Sequence, residues 1–269
     1  MRRIESSENA KLKAIRKLRH RKYRDGEHRF VIEGENLLEE ALSCGFVPDI
    51  VLISEDHVPR RSVLREAELG GAECFELPRR IFEKEADAGN GVGVLAVVRK
   101  PDFGTAGDIL RKSAGTEDFI VMDRMQDPGN VGTVIRTAYA AGFKAVFALK
   151  GTADIFSPKV LRSTAGLIFR MPVIHCSDAE ELISLLKETG HRLTVTDPSG
   201  GAAYYDADLT HGNAVVIGNE GGGIAEEIMD KADQRINIPM RDGIESLNAA
   251  VSAAVIMYGS LIQRLSDRS

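Results

Sequence analysis

Tryptophan is absent from this chain, aromatic residues make up only 6%, and its 269 residues include just three cysteines and six histidines. Each shortage removes a class of protein. Cys44, Cys74 and Cys176 lie far apart and form no Cys-x-x-Cys pair, so neither a disulfide framework nor a zinc site is expected, and they read as small buried hydrophobes. The scattered histidines build no His/Cys/carboxylate cluster and no Ser/His/Asp set at interpretable spacing; no metal is expected. No apolar run approaches the roughly 18 residues needed to cross a bilayer. Met1-Arg2-Arg3-Ile4-Glu5-Ser6 leads into charged residues and not an apolar signal core, so the expectation is a cytoplasmic protein with no membrane partner. Few aromatics also means few obvious platforms for stacking a nucleic-acid base.

What remains is ordinary globular material, 43% hydrophobic and 28% charged. That is enough for one large domain or two smaller ones, and two are favoured. The net charge of −5 argues against a nucleic-acid partner until the charges are located. Residues 1–30 hold eleven Lys/Arg against four acids, a local surplus of seven, so the remainder carries −12. The local patch matters more than the total, because charge attraction is screened beyond about 8 Å at physiological salt. A basic helix from Lys11 to Arg24 therefore has two readings, a solvated surface or a phosphate contact.

Patterns of helix and strand alternate throughout. The first half carries the basic helix, the strand Phe30-Val31-Ile32, a helix Asn36 to Cys44, the strand Ile50 to Ile53, a helix near Val63 to Leu69, and strands Cys74 to Leu77 and Val92 to Val98. Pro101, Gly104 and Gly107 punctuate a linker, which places a domain boundary near residue 104, with domains 1–104 and 105–269. The second half has six strand-like runs, Phe119 to Met122, Ala145 to Leu149, Met171 to Ile174, Arg192 to Thr196, Ala214 to Ile217 and Arg235 to Ile238. Helical patterns between them imply an α/β domain with a mainly parallel sheet and ligands at the strands' carboxyl ends. A closing helix, Ser246 to about Leu265, has apolar residues at 247, 251, 254, 255, 258, 261, 262 and 265, the spacing of one stripe that is either core or a dimer seal.

Three loops share one grammar, a strand running into turn residues and then a helix. Asp127-Pro128-Gly129-Asn130 opens the helix Val131 to Gly142; Ile217 runs into Gly218-Asn219-Glu220-Gly221-Gly222-Gly223. Arg235-Ile236-Asn237-Ile238 stops at Pro239, which has no backbone donor, and Asp242-Gly243 turns towards Ser246 as helix N-cap. The glycine loop lacks the Lys-Ser/Thr of a P-loop and the spacing of a dinucleotide fingerprint. It is either a structural turn or a site of close backbone approach, and Glu220 within it favours a neutral or cationic ligand over a phosphate. Arg136, on the helix after Asn130, reads alone as a surface cation; with Glu220, Ser246 and Asn248 it completes the polar candidates.

Taken together, Asn130-Val131-Gly132-Thr133-Val134-Ile135-Arg136-Thr137-Ala138, the loop Ile217 to Ile224, and Ile236-Asn237-Ile238-Pro239-Met240 with Glu245-Ser246-Leu247-Asn248-Ala249-Ala250-Val251-Ser252 resemble the three ordered motifs of the SpoU/TrmH RNA ribose methyltransferases, in the SPOUT superfamily. The resemblance covers about residues 115–265. Arg29 to Gly34 and Gly93 to Val98 also resemble the ribosomal-protein-like substrate-binding domain of such enzymes. It implies S-adenosylmethionine as methyl donor, an RNA ribose 2′-hydroxyl as acceptor with ribosomal RNA preferred to transfer RNA, a homodimer, and a knotted C-terminal backbone, which the usual connection rules would not suggest. Carried onto this sequence, it assigns cofactor contacts to Thr196, Gly218, Asn219, Glu220, Ile238, Met240 and Leu247, and the reaction to Arg136 with Asn130, Glu220, Ser246 and Asn248. Lys11, Arg16, Arg19, Lys22 and Arg24 are then expected on RNA phosphates. A fold-sharing RNA-binding or assembly protein without catalysis is the rival reading, and a dinucleotide enzyme a more distant one.

Overall fold

The computed structural model describes residues 1–87, 93–241 and 246–267. Its contacts divide it into two units, Met1–Asp102 with Phe156–Arg170, and Phe103–Ile155 with Met171–Ser269. A cut at residue 104 assigns 156–170 to the second half, whereas the helix in that segment packs on strand 29–33 of the first unit.

The first unit runs β1 (Arg2–Arg3), α1 (Ala10–Lys17), α2 (Arg21–Glu27), β2 (Arg29–Glu33), α3 (Glu35–Ser43), β3 (Ile50–Ser54), α4 (Arg61–Leu69), β4 (Glu73–Leu77), α5 (Arg79–Glu85) and β5 (Val94–Arg99). Its sheet has the order β1-β4-β3-β5-β2, with β5 antiparallel to both neighbours. Val92, expected to start the last strand, lies outside the described residues. The expected single basic helix is two. Arg24, only 5% exposed, donates to the carbonyls of Leu18 and Arg19 at 2.6 Å each, fixing the turn that separates α1 from α2.

The second unit contains α6 (Ala106–Ser113), β6 (Phe119–Met122), α7 (Pro128–Ala140) and β7 (Ala145–Leu149); α8 (Pro158–Thr164) then belongs to the first unit. The chain continues through β8 (Val173–Cys176), α9 (Ala179–Glu188), β9 (Arg192–Thr196), β10 (Ala202–Ala203), β11 (Asn213–Ile217), α10 (Glu226–Met229), β12 (Gln234–Asn237) and α11 (Ala249–Ser266). Every pairing in the order β10-β12-β9-β11-β6-β7-β8 is parallel. All residues of β6, β7 and β11 are buried, which is why these strands, apart from Asn213 at the start of β11, are apolar runs and not alternating ones. The chain winds outward from β6 to β8, then crosses to β9 on the far side of β11. The loops after β9, β11 and β12 consequently open side by side at the strands' carboxyl ends, at a reversal of strand order.

Helix α11 corrects two expectations. At 18 residues it has the length and apolarity of a membrane span, although it packs along α7 and β11. Its buried face is Ala249, Ala250, Ala253, Ile256, Met257 and Ser260, mostly small residues that let the helix approach closely. Of the two readings of the apolar stripe, core does not hold for Leu247, Val251, Tyr258, Ile262 and Leu265, which are all exposed, while Ala254, Val255 and Leu261 are half-buried.

At the base of β6, Asp118 is buried, accepts the Asn213 amide at 2.9 Å and lies 3.2 Å from the Arg264 guanidinium. Burial pushes its carboxyl up from 3.8 to about 6 despite these partners. The folded protein thus holds a proton over an interval in which the unfolded chain has released it. This contribution is complete below pH 3.8 and is lost as pH rises through about 6; the shift corresponds to roughly 3 kcal/mol. Thermal melts of wild type and Asp118→Asn should therefore diverge most steeply within that interval, and parallel pH profiles would refute the assignment.

Candidate active site

Three loops meet through one chain of side-chain amides. Asp127, not Asn130, caps α7: its Oδ1 accepts the Asn130 N–H at 2.9 Å, and Pro128 occupies the first turn, where no N–H is required. The Asn130 side chain can then bridge. Its Nδ2 donates to Glu220 Oε1 at 2.8 Å, and its Oδ1 accepts from Asn248 Nδ2 at 3.1 Å. Asn248 Oδ1 in turn accepts the amides of Ala250 and Val251 at 3.0 and 3.2 Å, so Asn248 and not Ser246 is the N-cap of α11. Burial works against ionisation of Glu220, but hydrogen bonds from Asn130 and from the Gln126 and Asp127 backbone outweigh it and hold the carboxyl below its ordinary range. Asp242 and Gly243, the expected turn, and Glu245 lie outside the described residues.

The glycine loop closes on itself. Asn219 and Gly223 exchange both backbone hydrogen bonds at 3.0 Å, and Asn219 Oδ1 accepts the amides of Gly221 and Gly222 at 2.9 and 3.0 Å. Its Nδ2 donates to the carbonyl of Arg124 at 2.7 Å. Asn219 therefore shapes the loop with its whole side chain. Arg124 sits in the left-handed region at φ 54° and grips Asp123 through Nε and Nη2, both at 3.0 Å, while Nη2 also reaches the Gly223 carbonyl at 3.3 Å. Buried Asp123 accepts the Ala225 amide at 2.7 Å. Sequence reasoning missed this clamp. Its one signal was an acid directly after the apolar run 119–122; a left-handed arginine has no residue-type signature.

A cavity of about 260 Å³ opens between these loops. Its walls are Thr196, Asp197 and Pro198 after β9, Ile217 to Gly221 with Gly223 and Ile224 after β11, Ile236 to Ile238 and Met240 after β12, and Ser246, Leu247, Ala249, Ser252 and Ile256 around the start of α11. All seven residues expected to contact a cofactor line it, and Ser246 with them. Thr196 is partly committed, since its hydroxyl donates to the Val216 carbonyl at 3.1 Å. Asp197 is a wall residue that the motifs did not indicate.

The chemistry of this wall suits S-adenosylmethionine. Isoleucine and leucine side chains offer an apolar slot for a flat base, and Glu220, with Asp197 beside Arg235 at 3.9 Å, gives the wall carboxylates that suit a ligand carrying sulfonium and ammonium charges. Gly218 has no Cβ where one would lie 2.4 Å from the carbonyl carbon of Gly223, so backbone itself forms this part of the cradle.

Arg136 lies elsewhere. It is exposed on α7, does not line the cavity, and among the described residues meets neither a carboxylate nor a hydrogen-bond acceptor. Of the basic residues expected on RNA, Arg24 is removed from contention by its burial. Lys11 pairs with Glu73 at 2.6 Å, and Arg16 with the wholly buried Glu85 at 2.6 Å. Arg19 is exposed and donates to the Lys84 carbonyl at 2.7 Å; Lys22 is exposed.

Comparison with known proteins agrees with this geometry. Residues 9–96 match the MRM3-like substrate binding domain. The chain is 36% identical over 259 residues, 96% of its length and 98% of the relative's, to the 23S rRNA (guanosine(2553)-2′-O)-methyltransferase of Bacillus subtilis. It superposes on the crystal structure of the AdoMet-bound rRNA methyltransferase from Sinorhizobium meliloti with a TM-score of 0.85 at 26% identity, covering 96% of this chain and 97% of that one. For the SpoU methyltransferase AviRb of Streptomyces viridochromogenes in complex with AdoMet the values are 0.86 and 25%, covering 96% and 99%. With residues 118–258 matching its methylase domain in addition, the chain belongs to the SpoU rRNA Methylase family.

Proposed function

We propose that this enzyme transfers the methyl group of S-adenosylmethionine to the 2′-hydroxyl of a ribose in ribosomal RNA, with 23S rRNA, the substrate named for its Bacillus subtilis relative, as the first candidate. The observation that carries this reading is the cavity at the carboxyl ends of β9, β11 and β12, whose acidic and apolar wall suits a sulfonium nucleoside. When bound, the cofactor supplies an electrophilic methyl carbon. Transfer would join that carbon to the ribose oxygen as the carbon–sulfur bond breaks to leave a neutral thioether, with the hydroxyl proton passing to solvent water. Arg136 offers a planar fork of N–H donors and no acceptor, so its part is to stabilise negative charge developing on that oxygen or to grip the neighbouring phosphate. Glu220, Asn130 and Asn248 hold the three loops in register for the transfer, and Ser246 sits where it can meet cofactor or nucleotide.

Asn248 joins two tasks that substitution can separate. Asn248→Asp keeps the cap acceptor and loses the donor to Asn130, so stability should stay near wild type while transfer slows. Asn248→Ala should in addition lose about 1 kcal/mol of stability. Melting curves beside single-turnover rates check both, and a normal rate in the aspartate variant would remove the amide chain from the mechanism.

The reading includes a homodimer. The exposed stripe Leu247, Val251, Tyr258, Ile262 and Leu265 is the apolar face such a partner would cover, adjoining the site through Leu247. It also includes the knotted C-terminal path and the cytoplasmic location that go with the family. The first unit would hold RNA, with Arg19 and Lys22 contacting phosphate. The test is calorimetric titration with S-adenosylmethionine, followed by radiolabelled methyl transfer to unmodified ribosomal and transfer RNA. Binding with transfer to the ribosomal pool is expected; no binding even with RNA present would favour a noncatalytic RNA-binding protein.

A further inference from the structure

Helices α1 and α2 meet at the turn Leu18-Arg19-His20, and just beyond it the ring of Tyr23 is 39% exposed in a chain that is poor in aromatics. His20, also exposed, lies beside it, with ring centroids 6.4 Å apart and planes inclined by 59°. The core cluster of this unit takes Leu12, Ile15 and Leu18 from α1 and the turn, and neither ring belongs to it. They are nevertheless rigidly carried: the buried guanidinium of Arg24 ties two carbonyls of the turn.

Their surroundings identify the ligand chemistry. The Lys17 ammonium lies 5.8 Å from the Tyr23 ring centroid, Lys22 is exposed on the following helix, and exposed Arg21 beside it lies 3.4 Å from Asp25. Cations alone would suit any polyanion. Aromatic faces set among cations suit a polyanion that also offers flat rings, and every unpaired nucleobase does.

We propose that His20 and Tyr23 form a stacking platform for unpaired bases of the RNA substrate, with Lys17, Arg21 and Lys22 receiving the flanking phosphates. The proposal rests on the RNA methyltransferase reading above and adds the place and manner of RNA capture in the first unit.

The test uses the full-length protein, unmodified rRNA fragments and S-adenosylmethionine. Tyr23→Ala should weaken RNA binding and raise the RNA KM by about 5- to 100-fold, the range for loss of one base–aromatic stack. Its kcat, its cofactor affinity and the salt dependence of RNA binding should remain those of wild type, and Tyr23→Phe should behave as wild type because stacking needs the ring and not the hydroxyl. Replacing Lys17, Arg21 and Lys22 together by alanine should instead flatten the salt dependence. Because the chain has no tryptophan, Tyr23→Trp supplies a single reporter whose fluorescence RNA should quench on stacking. An unchanged RNA KM in Tyr23→Ala, with the wild type methylating RNA, overturns the platform alone. A defect on ribosomal particles but not on naked rRNA also overturns it, assigning the face to a protein partner. Wild type that binds the cofactor yet methylates no RNA removes the reading on which both proposals rest.

Discussion

Replacing Arg136 by alanine is expected to lower the single-turnover rate of methyl transfer by about 10²- to 10³-fold, the usual loss when one preorganised donor to a developing oxyanion is removed. Cofactor affinity should stay within about twofold, because Arg136 does not line the cavity. The geometry makes the expectation sharp. Several arginines elsewhere in the chain are committed, as Arg124 is to Asp123 and Arg16 to Glu85. Arg136 is exposed, with no such partner among the described residues, and an unneutralised guanidinium keeps its full charge for an anion that arrives with substrate. Substitution by lysine should restore charge without the planar fork, recovering part of the rate. Rapid-quench measurements with saturating RNA would check this, and a wild-type rate in the alanine variant would take Arg136 out of the reaction. A large rise in RNA KM with unchanged kcat would move its role from the hydroxyl to the phosphate.

The parts of the fold that were legible are those in which one physical demand fixes the residue type. β6, β7 and β11 are buried along their whole length, so they read as apolar runs apart from Asn213, and functional loops follow β6 and β11. Where two demands compete, sequence was ambiguous. Ser246 and Asn248 are both good N-caps, but only Asn248 can cap with its oxygen and donate to Asn130 with its nitrogen. In α11 the apolar stripe fits core and dimer seal equally, and close packing on α7 and the sheet selects instead a face of Ala249, Ala250, Ala253, Ile256, Met257 and Ser260. Arg24 has the residue type of a surface cation, and its burial depends on a turn that sequence periodicity did not reveal. The packing of residues 156–170 with the first unit is a long-range contact, invisible to local pattern.

Gly218→Ala should abolish measurable cofactor binding, weakening it by about 100-fold or more. A Cβ at this position would lie 2.4 Å from the carbonyl carbon of Gly223, 2.6 Å from the Ile224 nitrogen and 2.7 Å from the Gly223 oxygen. All three are backbone atoms, so no side chain can rotate away. Relief requires parting Gly218 from Gly223, which would pull apart the Asn219–Gly223 exchange and the contact of Gly223 with Arg124 that hold this wall of the cavity. Gly222→Ala is the matched control. Its Cβ would meet only Asn219 Oδ1 at 3.8 Å, an ordinary contact, and its backbone does not need the left-handed region. Calorimetry on the two variants therefore separates close backbone approach from mere glycine content. Loss in the first with retention in the second makes the Gly218–Gly223 crossing the cofactor's cradle, whereas normal binding by Gly218→Ala would mean that S-adenosylmethionine is held by the β9 and β12 loops without it.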